Sequence, residues 1–214
     1  MTRLSSARRA GVRAAARTRV AAALAVAALA LTGCSSDPLA DQYRSGSGQG
    51  YISGDGAYTV IAADERSAPV SFEGALDSGG SVSTEQLVGQ VYVVNFWYAG
   101  CPPCRVEAAD LEALYQEFSD AQGGAGVPFI GVNIRDKAPQ SLAFAEEFGV
   151  TYPSILDVED GSVRLAFAGQ VAPTAVPTTL VVDAQGRVAA RISGLVSEPS
   201  TLRAMITDAL AEAS

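Results

Sequence analysis

The chain has 214 residues, carries 15 basic against 23 acidic side chains for a formal net charge of −8, and contains three cysteines and no histidine. The missing histidine excludes His-dependent triads, Cys-His metal sites and His ligation of haem or copper; two thiolates alone would need carboxylates to close a metal site, so neither a metal nor another cofactor is expected. The acidic balance argues against nucleic acid as a partner.

Residues 1–19 hold Arg3, Arg8, Arg9, Arg13, Arg17 and Arg19 and no acid. An apolar run follows at 20–31, too short to span a bilayer as a mature helix. It ends at Leu31-Thr32-Gly33-Cys34, and small residues before a cysteine resemble the bacterial lipobox. That resemblance implies a lipoprotein signal peptide, 1–33, cut before Cys34, which becomes the lipidated first residue. An ordinary signal peptide with an incidental cysteine is the alternative, and Arg8-Arg9 leaves twin-arginine export open beside the general route. Removing 1–33 leaves nine basic against 23 acidic side chains, a net charge of −14 that anionic headgroups repel. Attachment to the cell membrane is therefore expected through Cys34 alone, with the protein on the extracytoplasmic side, where disulfides persist. Residues 34–57 are rich in Gly and Ser and poor in apolar side chains. They predict a flexible tether with an r.m.s. reach of about 25 Å. The remainder, 58–214, is long enough for one domain with a substantial core.

Tyr58-Thr59-Val60-Ile61-Ala62 predicts a short strand by its β-branched content. Residues 68–88 read as irregular, with a turn at Gly79-Gly80 and a single helical turn at Ser83-Thr84-Glu85-Gln86-Leu87. Val91-Tyr92-Val93-Val94-Asn95-Phe96 is a continuous apolar run, the pattern of a strand buried on both faces. After Cys104, Val106, Leu111, Leu114, Tyr115 and Phe118 recur at helical spacing as far as Gly123-Gly124. Phe129-Ile130-Gly131-Val132-Asn133 predicts a second buried strand, 141–148 a helix stopped by Gly149, and 163–168 a short helix. Thr179-Leu180-Val181-Val182-Asp183 and Arg187-Val188-Ala189-Ala190-Arg191-Ile192 flank Ala184-Gln185-Gly186, a hairpin signal. Ser200 is placed to cap a last helix whose Leu202, Met205, Ile206, Ala209 and Leu210 form one apolar stripe. The order β-α-β-α-(α)-β-β-α predicts an α/β fold with at least four sheet strands and helices on both faces.

The chemistry concentrates at Cys101 and Cys104, three positions apart on a strand-to-helix corner. Such a pair can close a small disulfide and open it again. The first thiol sits where a helix N-terminus stabilises a thiolate, and the second is at hand to resolve a mixed disulfide. Pro102 and Pro103 suit the first helical positions because neither needs an intrahelical donor there. A static bridge or a pair of inert thiols is the alternative, although so small a loop stabilises little in the chain-entropy model. With Cys34 assigned to lipid, no cysteine is left over.

Trp97-x-x-x-Cys101-Pro102-Pro103-Cys104, the helix after it, Val176-Pro177-Thr178-Thr179 and the Asp183…Gly186 hairpin together resemble the thioredoxin-like fold. Asn95-Phe96-Trp97, Glu107 and Tyr152-Pro153 resemble, more narrowly, its membrane-anchored TlpA/ResA branch, over about residues 65–211. A lone CxxC is widespread; it is the joint occurrence of these motifs in this order that carries the resemblance. It implies a central mixed sheet flanked by helices, with Cys101 as an exposed nucleophile and Cys104 as a more buried resolving thiol. It also implies a cis bond before Pro177, opposite the disulfide, and a backbone at Val176 able to pair with an incoming substrate strand. Trp97 would pack beside the site on the substrate side, though core filling explains it equally well.

Glu107 shares a helix face with Cys104. The resemblance places its carboxylate beside the thiols, where it governs their protonation; a first-turn acid facing the helix dipole is the other reading. Asn95 departs from thioredoxin itself, which has a buried aspartate at that place. An amide accepts no proton, so that task shifts towards Glu107.

What the resemblance implies as function is an extracytoplasmic thiol-disulfide oxidoreductase. It would reduce disulfides of exported proteins, such as the haem-binding pair of apocytochrome c during cytochrome c maturation. A membrane protein of the CcdA or DsbD type would restore its electrons. A disulfide-donating oxidase of the same fold is one alternative; strong oxidants of the DsbA type carry a histidine between the cysteines, where this chain has two prolines. A non-enzymatic lipoprotein that binds a partner through a redox-dead fold is another, and the presence of both cysteines speaks against it.

Overall fold

A computed structural model describes residues 57–119, 126–172 and 175–213. The expected signal peptide 1–33, the lipidation site Cys34, the tether apart from Ala57, and the Gly123-Gly124 helix stop lie outside the described residues. In chain order the elements are β1 (Ala57–Val60), β2 (Glu73–Ala75), β3 (Ser81–Ser83), a 3₁₀ turn (Thr84–Leu87), β4 (Tyr92–Trp97), α1 (Pro102–Ser119), β5 (Phe129–Asn133), α2 (Ala138–Phe148), β6 (Ser154–Leu156), α3 (Ser162–Ala166), β7 (Thr178–Val182), β8 (Val188–Ser193) and α4 (Pro199–Glu212).

Six strands form one mixed sheet in the order β1-β8-β7-β4-β5-β6, and β2 with β3 forms a separate hairpin. β4 pairs in parallel with β5 and antiparallel with β7, so the strand that leads to the cysteines is enclosed on both edges. It is also enclosed on both faces, and all six of its residues are buried. Tyr92, Val94 and Phe96 pack with Phe72, Leu87 and Phe167 on one side of the sheet. Val93, facing the other way, joins Leu111 and Leu114 of α1 and Leu202 and Ile206 of α4. This alternation with period two, apolar on both sides, is why the run reads as continuous in the sequence.

Several expectations are corrected. Val106, assigned to the apolar stripe of α1, is 67% exposed, because the buried face of the first turns is carried by Cys104, Glu107 and Ala108. Ser200 does not cap α4: Glu198 holds the N-cap position and Pro199 opens the helix, as suits a residue that needs no donor there. α2 starts before 141, at Ala138, with Pro139 in its first turn. The stretch 68–88 is not irregular throughout, since it contains the β2–β3 hairpin. β6 was not expected, and three residues are too few for a periodic signal. Gly74 marks where that hairpin meets β6: a Cβ there would lie 2.3 Å from Ile155 Cγ2, so only glycine fits.

The end of the sheet away from the cysteines is closed by a charged cluster. Asp183, directly after β7, is buried and accepts Arg66 Nη1 at 3.0 Å, Arg187 Nε at 2.9 Å and the backbone N–H groups of Gln185 and Arg187. Arg66 also reaches Glu212 at the end of α4. These partners hold the Asp183 carboxyl below its usual range, despite its burial. The arrangement ties the segment after β1, the β7–β8 turn and the last helix together. Asp183→Ala is expected to destabilise the fold by about 3 kcal/mol, because it removes the buried acceptor shared by Arg66, Arg187 and the backbone N–H groups of Gln185 and Arg187. That is roughly 10 °C in melting temperature. Arg203→Ala, which breaks the exposed pair with Glu117, is expected to leave the melting temperature unchanged. Thermal unfolding followed by circular dichroism checks both.

Candidate active site

β4 ends at Trp97, and after Tyr98-Ala99-Gly100 the chain enters α1 at Pro102. This corner brings Cys101 and Cys104 together as a disulfide, with S–S 2.07 Å and Cα atoms 5.3 Å apart. The first turn of a helix has N–H groups with no intrahelical partner, and here the N–H of Cys104 donates to Cys101 Sγ at 3.3 Å. A donor aimed at that sulfur, at the positive end of an 18-residue helix, stabilises a thiolate at Cys101 when the bridge is open. The expected exposure of Cys101 is corrected: both cysteines are 2% exposed. Cys101 and Cys104 belong to a buried cluster with Trp97, Ala108 and Phe144, against which Tyr98, Ala99 and Val176 pack partly buried.

Trp97 is buried in that cluster. Its ring lies 4.3 Å from that of Phe144, and its indole N–H donates to Ser154 Oγ at 3.2 Å. The structure thus places it under the cysteine corner, as packing. Gly131 makes room for this contact, since a Cβ there would lie 2.2 Å from Ser154 Oγ. The bond between Val176 and Pro177 is cis. Val176 is half-buried and packs against the cysteine cluster, and the Pro177 carbonyl accepts the N–H of Gly194, tying the β8–α4 loop to this edge.

Glu107 is 1% exposed. This departs from a first-turn acid in water facing the helix dipole. Its Oε1 accepts Asn95 Nδ2 at 3.0 Å and its Oε2 accepts the N–H of Val196 at 2.8 Å. Asn95, on the buried strand β4, donates also to Thr179 Oγ1 on β7 at 3.1 Å. Burial pushes the Glu107 carboxyl up to about 7, against the lowering effect of the Val196 and Asn95 donors; the charge of Asp110 adds to the rise. A carboxyl in this range, one helical turn beyond Cys104, can take up or release a proton near neutral pH.

Three contributors were not found in the sequence. Asp136, between β5 and α2, accepts the N–H of Ala99 and the side chain of Asn133, and so holds the approach to Cys101. Arg105 donates to the carbonyl of Ala99, pairs with Glu147 and lies 4.7 Å over the ring of Phe148. Arg135 lies 4.3 Å over the ring of Tyr98. A polar pair in the loop after a strand that runs parallel to β4 was the available signal for Asn133 and Asp136, because such loops end beside the same site. Among the described residues no group of three or more cysteine and carboxylate side chains is placed to hold a metal ion.

The chain matches the Redoxin family over residues 62–206. It is 36% identical over 110 residues to the thiol:disulfide interchange protein HelX of Rhodobacter capsulatus, covering 51% of this chain and 56% of that protein. It is 28% identical over 120 residues to the thiol-disulfide oxidoreductase ResA of Halalkalibacterium halodurans, covering 56% of this chain and 63% of that one. The chain thus spans less than two thirds of the length of these relatives. The fold superposes on a DsbF homologue from Corynebacterium diphtheriae with a TM-score of 0.60 and 28% identity, over 75% of this chain and 98% of that one. With the match running from just after β1 into α4 and the cysteine pair at the head of α1, the chain belongs to the Redoxin family and has a thioredoxin-like fold.

Proposed function

We propose that the protein is a thiol-disulfide oxidoreductase, held to the outer face of the cell membrane by lipid on Cys34, that reduces disulfides of exported proteins. The observation that carries this reading is the Cys101–Cys104 disulfide at the start of α1, with a backbone donor on Cys101 Sγ and a buried carboxyl one turn away. The names of the relatives HelX and ResA support the reaction class.

In the reduced protein the Cys101 thiolate attacks one sulfur of a partner's disulfide. A mixed disulfide forms and the partner's other sulfur leaves as a thiolate. Cys104, its proton passed to Glu107, then attacks Cys101 Sγ and the partner's second thiolate departs. Two electrons have moved to the partner, and Cys101–Cys104 is the oxidised product. The backbone at Val176 would hold the partner strand during attack. A membrane protein of the CcdA or DsbD type would return the dithiol, and the haem-binding cysteine pair of apocytochrome c is the substrate we favour.

The reaction is tested by insulin reduction: Cys101→Ser is expected to fall to the uncatalysed rate, and activity equal to the wild type would remove the pair from catalysis. Cys104→Ser should accumulate mixed disulfides through Cys101, which mass spectrometry can name. A trap that captures other exported proteins but no apocytochrome would sink the haem-maturation reading. Equilibration with glutathione buffers fixes direction, since a potential above about −180 mV favours a disulfide donor instead.

Glu107 gives a pH dependence of known sign. Its folded value, about 7, stands above the ordinary 4.5, so the folded state holds the proton more tightly. The resulting stabilisation is fully present below pH 4.5 and is lost as pH rises through 7. The loss totals about 3 kcal/mol at 1.36 kcal/mol per pH unit. Glu107→Gln carries no such proton, so its stability relative to the wild type should climb across that window. Urea unfolding of both proteins at pH 4.5, 6 and 8 measures it; parallel pH curves would contradict the assignment.

A further inference from the structure

The hydrogen bonds of the polar cluster beneath the cysteine corner can be counted. An amide nitrogen has two protons, and both of those on Asn95 are committed, one to Glu107 Oε1 and one to Thr179 Oγ1. Asn95 and Thr179 are directly paired across β4 and β7, so the backbone register fixes their approach. The other carboxylate oxygen of Glu107 is taken by the N–H of Val196. Turning the Asn95 amide over would set its carbonyl oxygen against a carboxylate oxygen. An apolar side chain at this position would leave Glu107 Oε1 buried without a donor. An aspartate would place two carboxylates about 3 Å apart, where only one can ionise readily.

We infer that Asn95 is a positioning residue: by donating to Glu107 and Thr179 together, it aims the Glu107 carboxylate and keeps it the one carboxylate of this cluster. The consequence for disulfide exchange rests on the function proposed above; the donor assignment does not. The groups facing Glu107 are named by element. On α1 there is Asp110, whose charge opposes ionisation, with Cys104 one helical turn earlier. On β7 there is the hydroxyl of Thr179, and from the β8–α4 loop the N–H of Val196. Ahead of β6 lies the buried phenol of Tyr152, which burial and then the charges of Glu107 and Glu112 hold neutral.

The exchange of acid and amide tests the assignment. Asn95→Asp with Glu107→Gln keeps every contact and reverses the direction of the two that Asn95 makes. The amide at 107 donates to the carboxylate at 95, the Thr179 hydroxyl donates to the same carboxylate, and the carbonyl at 107 still accepts from Val196. In the full chain with the disulfide closed, ¹³C NMR titration of the glutamate side-chain carbons should place Glu107 near 7 in the wild type. The midpoint should move up by about one pH unit or more in Asn95→Ser, which loses the donor, and in Asn95→Asp, where two carboxylates compete for a proton. Asn95→Asp alone should melt well below the wild type, and the exchanged double variant should melt well above that single variant. If Asn95→Asp does not fold, recovery of a folded double variant supports the assignment and its failure to fold overturns it. A Glu107 midpoint in Asn95→Ser unchanged from the wild type, or a double variant no more stable than Asn95→Asp, also overturns it. Neither readout measures disulfide exchange, so an inactive wild type would sink the proposed function and leave this assignment standing.

Discussion

Glu107 sits one helical turn beyond Cys104 with 1% of its surface exposed, and removing a carboxylate from water costs several kcal/mol unless donors meet it. The donors that do so come from two other places in the fold: Asn95 on the central strand and Val196 in the β8–α4 loop. The cost of burying this one charge is therefore offset only when the helix, the strand and the loop are all in register. Helix α1 cannot slide or rotate on the sheet without leaving the carboxylate unpaired. Since α1 begins at Pro102, the same constraint fixes where the cysteines stand.

The rest of the active end follows from that placement. Asn95 reaches Thr179 because β4 and β7 are antiparallel neighbours, and Thr179 lies two residues beyond the cis-bonded Pro177. The Pro177 carbonyl in turn holds Gly194, two residues before Val196. A closed circuit thus runs from α1 through β4, β7 and the β8–α4 loop back to Glu107. The positions of its members are set by buried hydrogen bonds, which tolerate little displacement. The opposite end of the sheet uses a different device. There Asp183 is met by two guanidinium groups as well as by backbone N–H groups, and its carboxyl is held low rather than raised. One carboxylate is prepared to stay ionised, the other to change its charge.

The parts of this that could be read in the sequence are those with a local signature. β4 and β5 are legible because burial on both faces makes each an unbroken apolar run. The cysteine pair is legible from its spacing, and the β7–β8 turn from Ala184-Gln185-Gly186 between two strand-forming runs. The sequence gives less where partners are distant. Val196 lies 89 residues from the carboxylate it supports, and Ser154 lies 57 from the indole of Trp97. Nothing near Glu107 distinguishes a buried acid from a solvated one, since exposed Val106 and buried Glu107 invert the usual reading of polarity on a helix. The exposure of Cys101 was misjudged for a related reason. Position at a helix terminus describes the backbone, whereas burial is set by side chains distant in sequence, here Phe144 beside Trp97.

The geometry also bears on how charge is handled in exchange. Ionising Cys104 while Glu107 is a carboxylate would put two negative charges a helical turn apart in surroundings that solvate neither well. Moving the proton from the thiol to the carboxylate avoids this: the pair carries one negative charge before the transfer and one after it. Cys101 is served differently, by the N–H of Cys104 and the positive end of α1, which favour its anion directly. The two sulfurs are therefore activated by unlike means. In the proposed exchange the first is held ready as a thiolate before a partner arrives. In that scheme the second gives up its proton to a carboxyl one helical turn away without adding charge.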